Sequence, residues 1–125
     1  MPTFEILTSA LDQEGHRRVA KRLGVAAAEA GQPIESVTVV FLEPESVFVH
    51  GGEEVPTQVF ARVDVTIGGL DEEQRRRLAR TVCGLLCDEG VREDALTLIF
   101  RDATGPQVAV GRGVFPFWPE PSPRD

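Results

Sequence analysis

The sequence has little positive charge and almost no lysine. Its 125 residues include 13 lysine and arginine residues against 20 aspartate and glutamate residues, for a formal net charge of -7. Lys21 is the single lysine, and the other basic side chains are arginines, which pair well with carboxylates in bidentate geometry. A nucleic-acid-binding surface needs clustered positive charge, so this composition argues against a nucleic-acid partner.

Cysteine and long apolar runs are scarce as well. Cys83 and Cys87 are the two cysteines, and no second Cys/His pair completes a zinc site. We interpret them as buried thiols and expect neither a metal nor a cofactor. No apolar run approaches the roughly 18 residues that span a bilayer, and no basic-then-apolar leader opens the chain. These features predict a cytoplasmic protein without a membrane partner.

An internal repeat organises the chain. The stretch LDQEGHRRVAKRL from Leu11 matches LDEEQRRRLARTV from Leu70, an offset of 59 residues, and the same offset places QPIESVTVVF from Gln32 over VREDALTLIF from Val91. Two tandem copies of one unit are therefore present. We expect a single domain over residues 1–115, with the first repeat at 2–52, the second at 61–115, and a proline-rich tail at 116–125.

Each copy predicts a strand, a helix and a second strand. Alternating apolar residues begin each copy. Asp12 and Asp71 are helix N-cap candidates, and Gly31 and Gly90 close the helices. The connections are short, so each copy forms a compact βαβ unit with parallel strands, followed by a glycine-bearing hairpin. The predicted fold is α/β (α+β), with one four-stranded mixed sheet and two helices on one face.

The sheet face opposite the helices, here called the uncovered face, is too apolar for water and too polar for a monomer core. Burying it in an oligomer is the economical solution. Its predicted residues are Thr3, Glu5, Thr38, Val40, Arg62, Asp64, Thr97 and Ile99.

Tandem βαβ units with proline at position 2 resemble the tautomerase superfamily over the chain up to about Phe115. GQPIESVTVVFLEPESVFVHGG, VTIGGL, RTVCGLLCDEGV and VAVGRGVF are most similar to the macrophage migration inhibitory factor group. Length and tail also resemble 5-(carboxymethyl)-2-hydroxymuconate isomerase and cis-3-chloroacrylic acid dehalogenase. The resemblance implies a homotrimer whose sheets form a barrel, with an active site for a small molecule at each subunit boundary.

Pro2 is the candidate catalytic residue. It coincides with Ala61 in the second copy, so the strand itself does not require proline. Removal of Met1 would make Pro2 the α-amino group, which is the catalyst that the superfamily uses. Apolar burial and nearby positive charge lower the pKa of such an amine, and the neutral amine can then move a proton between a carbon beside a carbonyl and another atom.

The resemblance also suggests pocket residues and shows departures from the family. Gln32 replaces a lysine of the factor-like proteins, whose pocket tyrosine and asparagine fall on Thr97 and Ile99. Phe48 takes the place of the aromatic pocket residue of 4-oxalocrotonate tautomerase, and Val108 matches a pocket-wall position. The dehalogenase stretch HREGR reads DEEQR here and retains Arg75, although we interpret the RRR run as a solvated helix face.

Strand alternation and hairpin position suggest which arginines could bind the substrate carboxylate. They are Arg62 and Arg101 on the uncovered face and Arg112 in the second hairpin, with salt bridges to Glu5, Asp64 or Asp102 as the competing interpretation. His16 and His50 are expected on the surface. The candidate substrate-binding residues are therefore Gln32, Phe48, Arg62, Thr97, Ile99, Arg101, Val108 and Arg112.

Three functions fit these residues. The first is keto–enol tautomerisation of a small 2-oxo or unsaturated carboxylic acid with Pro2 as general base. The second is a hydratase, dehalogenase or decarboxylase that uses protonated Pro2 as an acid. The third is a non-catalytic trimeric binding protein, which the lost polar pocket residues favour. A scaffold that hosts several reactions cannot by itself choose among them.

Overall fold

The computed structural model describes residues 2–103 and 111–113 of the chain. Its strands are β1 (Thr3–Thr8), β2 (Thr38–Leu42), β3 (Val47–Val49), β4 (Glu53–Val55), β5 (Ala61–Thr66) and β6 (Leu96–Arg101). Its helices are α1 (Gln13–Glu29) and α2 (Glu72–Asp88), and short 3-10 turns precede β2, β5 and β6. The repeat therefore produces two βαβ units, as the sequence predicts.

The large sheet has the strand order β2-β1-β5-β6. The outer pairs β1/β2 and β5/β6 are parallel, and the central pair β1/β5 is antiparallel. The mixed four-stranded sheet is thus confirmed. Because the two units meet head to tail, the start of β1 lies beside the end of β5. The strands β3 and β4 form a separate antiparallel hairpin between the units.

Matching signals define the two helices. The side chains of Asp12 and Asp71 accept hydrogen bonds from backbone amides in the first turn of α1 and α2, and Gln74 completes a capping box in α2. Gly31 and Gly90 follow the last helical residues with φ of 87° and 105°, a conformation that glycine adopts at little cost. The predicted helix ends are confirmed.

The core lies between the helices and one face of the sheet. Phe4 and Ile6 of β1 pack in one cluster with Val63 and Val65 of β5 and with the apolar stripes of both helices. All four of these strand residues are fully buried. The alternate strand residues point away from the helices, which places both helices on the same side.

The uncovered face is solvent-accessible in the protomer. Val40 and Leu42 of β2 are 37% and 51% exposed, and Glu5, Arg62 and Thr97 are exposed as well. Neighbouring exposed apolar side chains on one sheet face are typical of a surface that another chain covers.

Two expectations about single residues are wrong. Cys83 and Cys87 are half-buried rather than buried, because they lie beside the apolar stripe of α2. His16 is not on the open surface: its ring stacks on Phe41 with centroids 4.2 Å apart. The second hairpin and the tail fall outside the described residues, apart from the turn at 111–113. Neither described helix is long and apolar enough to cross a membrane.

Candidate active site at one edge of the sheet

Pro2 lies at the end of the sheet where β1 begins and β5 ends, here called the Pro2 edge. Thr3 pairs with Thr66 across the two strands, so Pro2 stands opposite Ile67. The Pro2 carbonyl accepts a hydrogen bond of 3.0 Å from the Thr38 amide, and its side chain is less than 2% exposed. Pro2 is thus held on the buried side of β1.

Hydrogen bonds with residues of both repeats hold the turn that follows β5. The side-chain amide of Gln32 donates to the carbonyl of Gly68 at 3.4 Å, and the Gly69 amide donates to Oδ1 of Asp102 at 3.3 Å. Ile67 donates its amide to the Arg101 carbonyl at 3.1 Å. Gln32 therefore belongs to the Pro2 edge, and it uses its donor to position the turn.

A small cavity of about 150 Å³ opens at this edge. Ile67 connects it to Pro2, since Ile67 both faces Pro2 across the sheet and lines the cavity. The other walls come from the start of α2 and the end of β6. The lining residues are Ile67, Leu70, Arg75, Phe100, Arg101 and Asp102. The cavity combines an apolar wall with basic and acidic side chains, which suits a small polar ligand.

Arg75 is the functional candidate that the sequence interpretation missed. Its neighbours Arg76 and Arg77 form salt bridges with Glu72 and Glu73 one turn earlier, as a solvated helix face should. No carboxylate of residues 2–103 or 111–113 lies within 4.0 Å of the Arg75 guanidinium. The residue one turn before Arg75 is the N-cap Asp71, whose carboxylate caps the Gln74 amide instead. Because the acid four residues before Arg75 is a helix N-cap candidate, the sequence already indicated that Arg75 lacks the salt bridge of its two neighbours.

The first repeat shows what Arg75 contributes. The 59-residue offset places His16 on Arg75 and Phe41 on Phe100. In the first repeat the His16 ring covers Phe41, and its Nε2 atom is buried without a hydrogen-bond partner. In the second repeat the corresponding arginine and phenylalanine line the cavity. The cavity at the Pro2 edge therefore depends on a residue that differs between the copies.

Arg62 and Arg101 both contact an acid on the uncovered face. Arg62 Nε lies 3.5 Å from Oδ2 of Asp64, and an Arg101 guanidinium nitrogen lies 3.6 Å from Oδ1 of the same carboxylate. Oδ1 is buried without a hydrogen bond, and Glu5 stands directly across the strand pair. The geometry within one protomer matches the competing salt-bridge interpretation for both arginines.

Arg62 and Thr97 do not lie beside Pro2 within one protomer. Arg62 pairs with both Leu7 and Thr97, and Leu7 lies five residues along β1 from Pro2, about 16 Å of strand. Phe48 is 58% exposed on the hairpin beyond the same far edge. Ile99 lies midway along β6, the exposed Arg112 has φ of 69°, and Val108 lies outside the described residues.

Resolved pKa shifts occur away from the cavity. Burial is the main reason that the pKa of Cys83 is raised, with smaller contributions from Cys87 and Glu93. The pKa of Glu89 is lowered, first by its hydrogen bond with Arg18. Cys83 is thus a poor thiolate at neutral pH, and neither group contributes chemistry to the Pro2 edge.

Solved structures share the fold of this chain. A fused 4-OT, described as a wild-type symmetric trimer, has a TM-score of 0.74 and 20% identity over 91% of this chain and 94% of its own. N1, a member of the cis-3-chloroacrylic acid dehalogenase family, has a TM-score of 0.77 and 19% identity over 98% and 87%. MIF2 of Leishmania major has a TM-score of 0.69 and 18% identity over 82% and 89%.

Sequence comparison adds no closer relative. No family model matches the chain, and no curated protein matches it. The structural likeness covers nearly the whole chain and both repeats, and the similar proteins are all tautomerase superfamily members. The chain therefore has the fold of the tautomerase superfamily.

Proposed function

We propose that the protein is a tautomerase that interconverts the keto and enol forms of a small 2-oxo or unsaturated carboxylic acid, with Pro2 as general base. The observation that carries this proposal is the position of Pro2. It is buried at the edge of the sheet, opposite Ile67, and Ile67 lines a cavity that contains Arg75.

The proposed chemistry needs a neutral amine and a carboxylate anchor. Once Met1 is removed, the neutral Pro2 amine takes a proton from the carbon beside the carbonyl and, as the ammonium, returns it to the carbonyl oxygen, which forms the enol; the reverse transfer restores the ketone. Arg75 supplies the anchor, because its guanidinium has no acidic partner within 4.0 Å among the described residues. Arginine binds a carboxylate bidentately.

A homotrimer is part of the proposal. The uncovered face carries exposed Val40 and Leu42, and the similar fused 4-OT structure is a trimer. In such an assembly Phe48, Arg62 and Thr97 of one subunit would approach the Pro2 edge of another, although they lie at the far edge of their own sheet. The active site would then be completed at a subunit boundary.

Turnover of phenylenolpyruvate by the Pro2→Ala variant tests the proposal. General base catalysis contributes about 10²–10⁴-fold, so the variant, which keeps only a primary amine, should lose roughly that factor in kcat. Intact mass must confirm removal of Met1, and light scattering must confirm the same assembly. Unchanged turnover would exclude a requirement for the proline amine, whereas a wild type that does not turn over the substrate would favour a non-catalytic binding protein.

A second candidate is a hydratase or dehalogenase in which protonated Pro2 acts as an acid. Two observations favour it: the likeness to a member of the cis-3-chloroacrylic acid dehalogenase family covers 98% of this chain, and Arg75 of the matching stretch lines the cavity. Hydration of a three-carbon acetylenic acid, measured beside phenylenolpyruvate ketonisation, separates the two. Faster hydration would assign the acid role to Pro2.

A further inference from the structure

The cavity at the Pro2 edge is lined by a carboxylate as well as by the guanidinium of Arg75. Asp102 lines it together with Arg75, directly after the end of β6. The Asp102 carboxylate accepts the Gly69 amide through Oδ1 at 3.3 Å, which leaves its second oxygen without a hydrogen bond from the described residues. The acidic side chain is therefore held in the cavity wall by the same turn that faces Pro2.

The other arginine of the cavity shares one carboxylate with Arg62 on the uncovered face. Arg101 lines the cavity, but its guanidinium lies 3.6 Å from Oδ1 of Asp64. Asp64 is also within 3.5 Å of Arg62. Among the described residues, a ligand at the Pro2 edge thus meets Arg75, which has no acidic partner within 4.0 Å, and the carboxylate of Asp102.

We infer that Asp102 determines specificity by favouring monocarboxylic acids over dicarboxylic acids at the Pro2 edge. This inference rests on the proposed function, since it names the substrate class of the same site. One carboxylate of the ligand binds Arg75. A second carboxylate would enter a cavity of about 150 Å³ that offers no further unpaired cation among its lining residues and already contains a negative charge, which repels it.

Asp102 is exposed, and hydrogen bonds of the turn opposite Pro2 position its carboxylate. Gly69 donates to the Asp102 side chain, and Gln32 holds the preceding Gly68 carbonyl. The carboxylate is consequently fixed relative to the turn opposite Pro2. A neutral hydrogen-bond donor on the ligand, such as an enol hydroxyl, would meet the free oxygen of Asp102 favourably.

Binding of two unreactive acids of equal chain length tests this inference. The probes are pentanoate and glutarate, titrated by NMR or calorimetry into the wild-type protein and into Asp102→Asn, which keeps the oxygen that accepts the Gly69 amide. We expect the wild type to bind pentanoate more tightly. In Asp102→Asn the ratio of the two dissociation constants should shift towards glutarate by roughly tenfold.

Asp88→Asn is the matched control, because Asp88 is an exposed acid at the other end of α2. It should leave the ratio unchanged. The inference is overturned if neither acid binds, if the wild type prefers glutarate, or if Asp102→Asn and Asp88→Asn give the same ratio. Binding is independent of turnover, so a protein that discriminates the acids but does not turn over phenylenolpyruvate would refute the tautomerase proposal alone.

Discussion

Gly68 lies so close to the carbonyl oxygen of Ala103 that any side chain at this position would force the backbone to shift. A Cβ placed on Gly68 would lie well inside the closest distance that real Cβ atoms show to that oxygen. The obstructing atom belongs to the backbone and cannot rotate away. The close approach joins the turn after β5 to the end of β6, which is where the cavity opens.

Replacing Gly68 by alanine should therefore destabilise the protein by about 1–3 kcal/mol, in the range of overpacking substitutions, and should lower binding of small acids. The end of β6 must move to admit the methyl group. Thermal or denaturant unfolding and acid titration measure the two effects.

Gly84→Ala is the control for this prediction. Gly84 is exposed in α2, and a Cβ there meets nothing within 4 Å. Alanine in a helix interior is preferred over glycine by about 0.5–1 kcal/mol, so this variant should be more stable than the wild type. A Gly68→Ala protein as stable as Gly84→Ala would contradict the close approach.

The ion pair between Arg18 and Glu89 should make stability depend on pH. Both carboxylate oxygens of Glu89 accept hydrogen bonds of 2.6 Å from Arg18, which joins α1 to the end of α2. This lowers the pKa of Glu89 from its ordinary value of 4.5. A lowered pKa contributes stability above the ordinary value, and the contribution disappears as pH falls through the value in the folded protein.

Glu89→Gln should accordingly lower Tm near neutral pH, and the difference from the wild type should shrink as the pH falls below about 4.5. Calorimetry across that range measures it. Glu14→Gln removes an exposed pair with Arg17 within one turn of α1 and should change Tm little. A difference between wild type and Glu89→Gln that persists at the acid end would refute the assignment.

Sequence predicted the elements well because their signals are local. Asp12 and Asp71 cap helices through amides within a few residues, and the repeat doubles each signal. The failures concern contacts between elements. His16 and Arg75 occupy the same helical position, and only packing against Phe41 or Phe100 shows that one ring closes its space while the other side chain lines a cavity.

The site residues inferred from the family resemblance show the same difficulty in predicting contacts between elements. Gln32, which follows α1, lies at the Pro2 edge with its side chain on the Gly68 carbonyl, and its role in substrate binding stays a prediction. Arg62 and Thr97 lie at the far edge, because β5 runs antiparallel to β1. Alternation along a strand predicts the face of a residue, but it says nothing about which end of a neighbouring strand that residue approaches.

Asp64 provides a test of whether the uncovered face is buried in an assembly. Its carboxylate lies within 4.0 Å of both Arg62 and Arg101. Removing one partner of a buried ion pair costs about 3–5 kcal/mol, whereas an exposed pair contributes about 0–1 kcal/mol. Asp64→Ala should therefore weaken a trimer by the larger amount, as measured by sedimentation at decreasing concentration. A monomeric wild type would refute the homotrimer itself.

Converting Arg75 to the residue of the other repeat should close the cavity. In Arg75→His the new ring is expected to stack on Phe100 as His16 stacks on Phe41, so acid binding should fall roughly 10- to 100-fold, the effect of losing a hydrogen bond to a charged group. Arg75→Lys keeps the charge and should lose less. Arg76→His alters only a solvated pair, and equal losses in Arg75→His and Arg76→His would contradict the role of Arg75.

The burial of the Pro2 ring leads to a prediction for the amine that removal of Met1 would expose. Its side chain is less than 2% exposed, and desolvation disfavours the ammonium form. We therefore expect the pKa of the Pro2 amine to lie below that of an ordinary secondary amine, with a smaller reduction than a neighbouring lysine would cause, because Gln32 is neutral. NMR titration of the ¹⁵N-labelled amine, matched to the pH dependence of kcat/KM, measures it.

A chain that retains one residue before Pro2 is the complementary test. The Pro2 nitrogen then becomes an amide without a basic lone pair, while the buried ring and the strand that follows it are unchanged. Turnover of phenylenolpyruvate should fall by about 10²–10⁴-fold, as in Pro2→Ala, although acid binding at Arg75 should survive. An extended chain that turns over at the wild-type rate would exclude the Pro2 amine from the reaction.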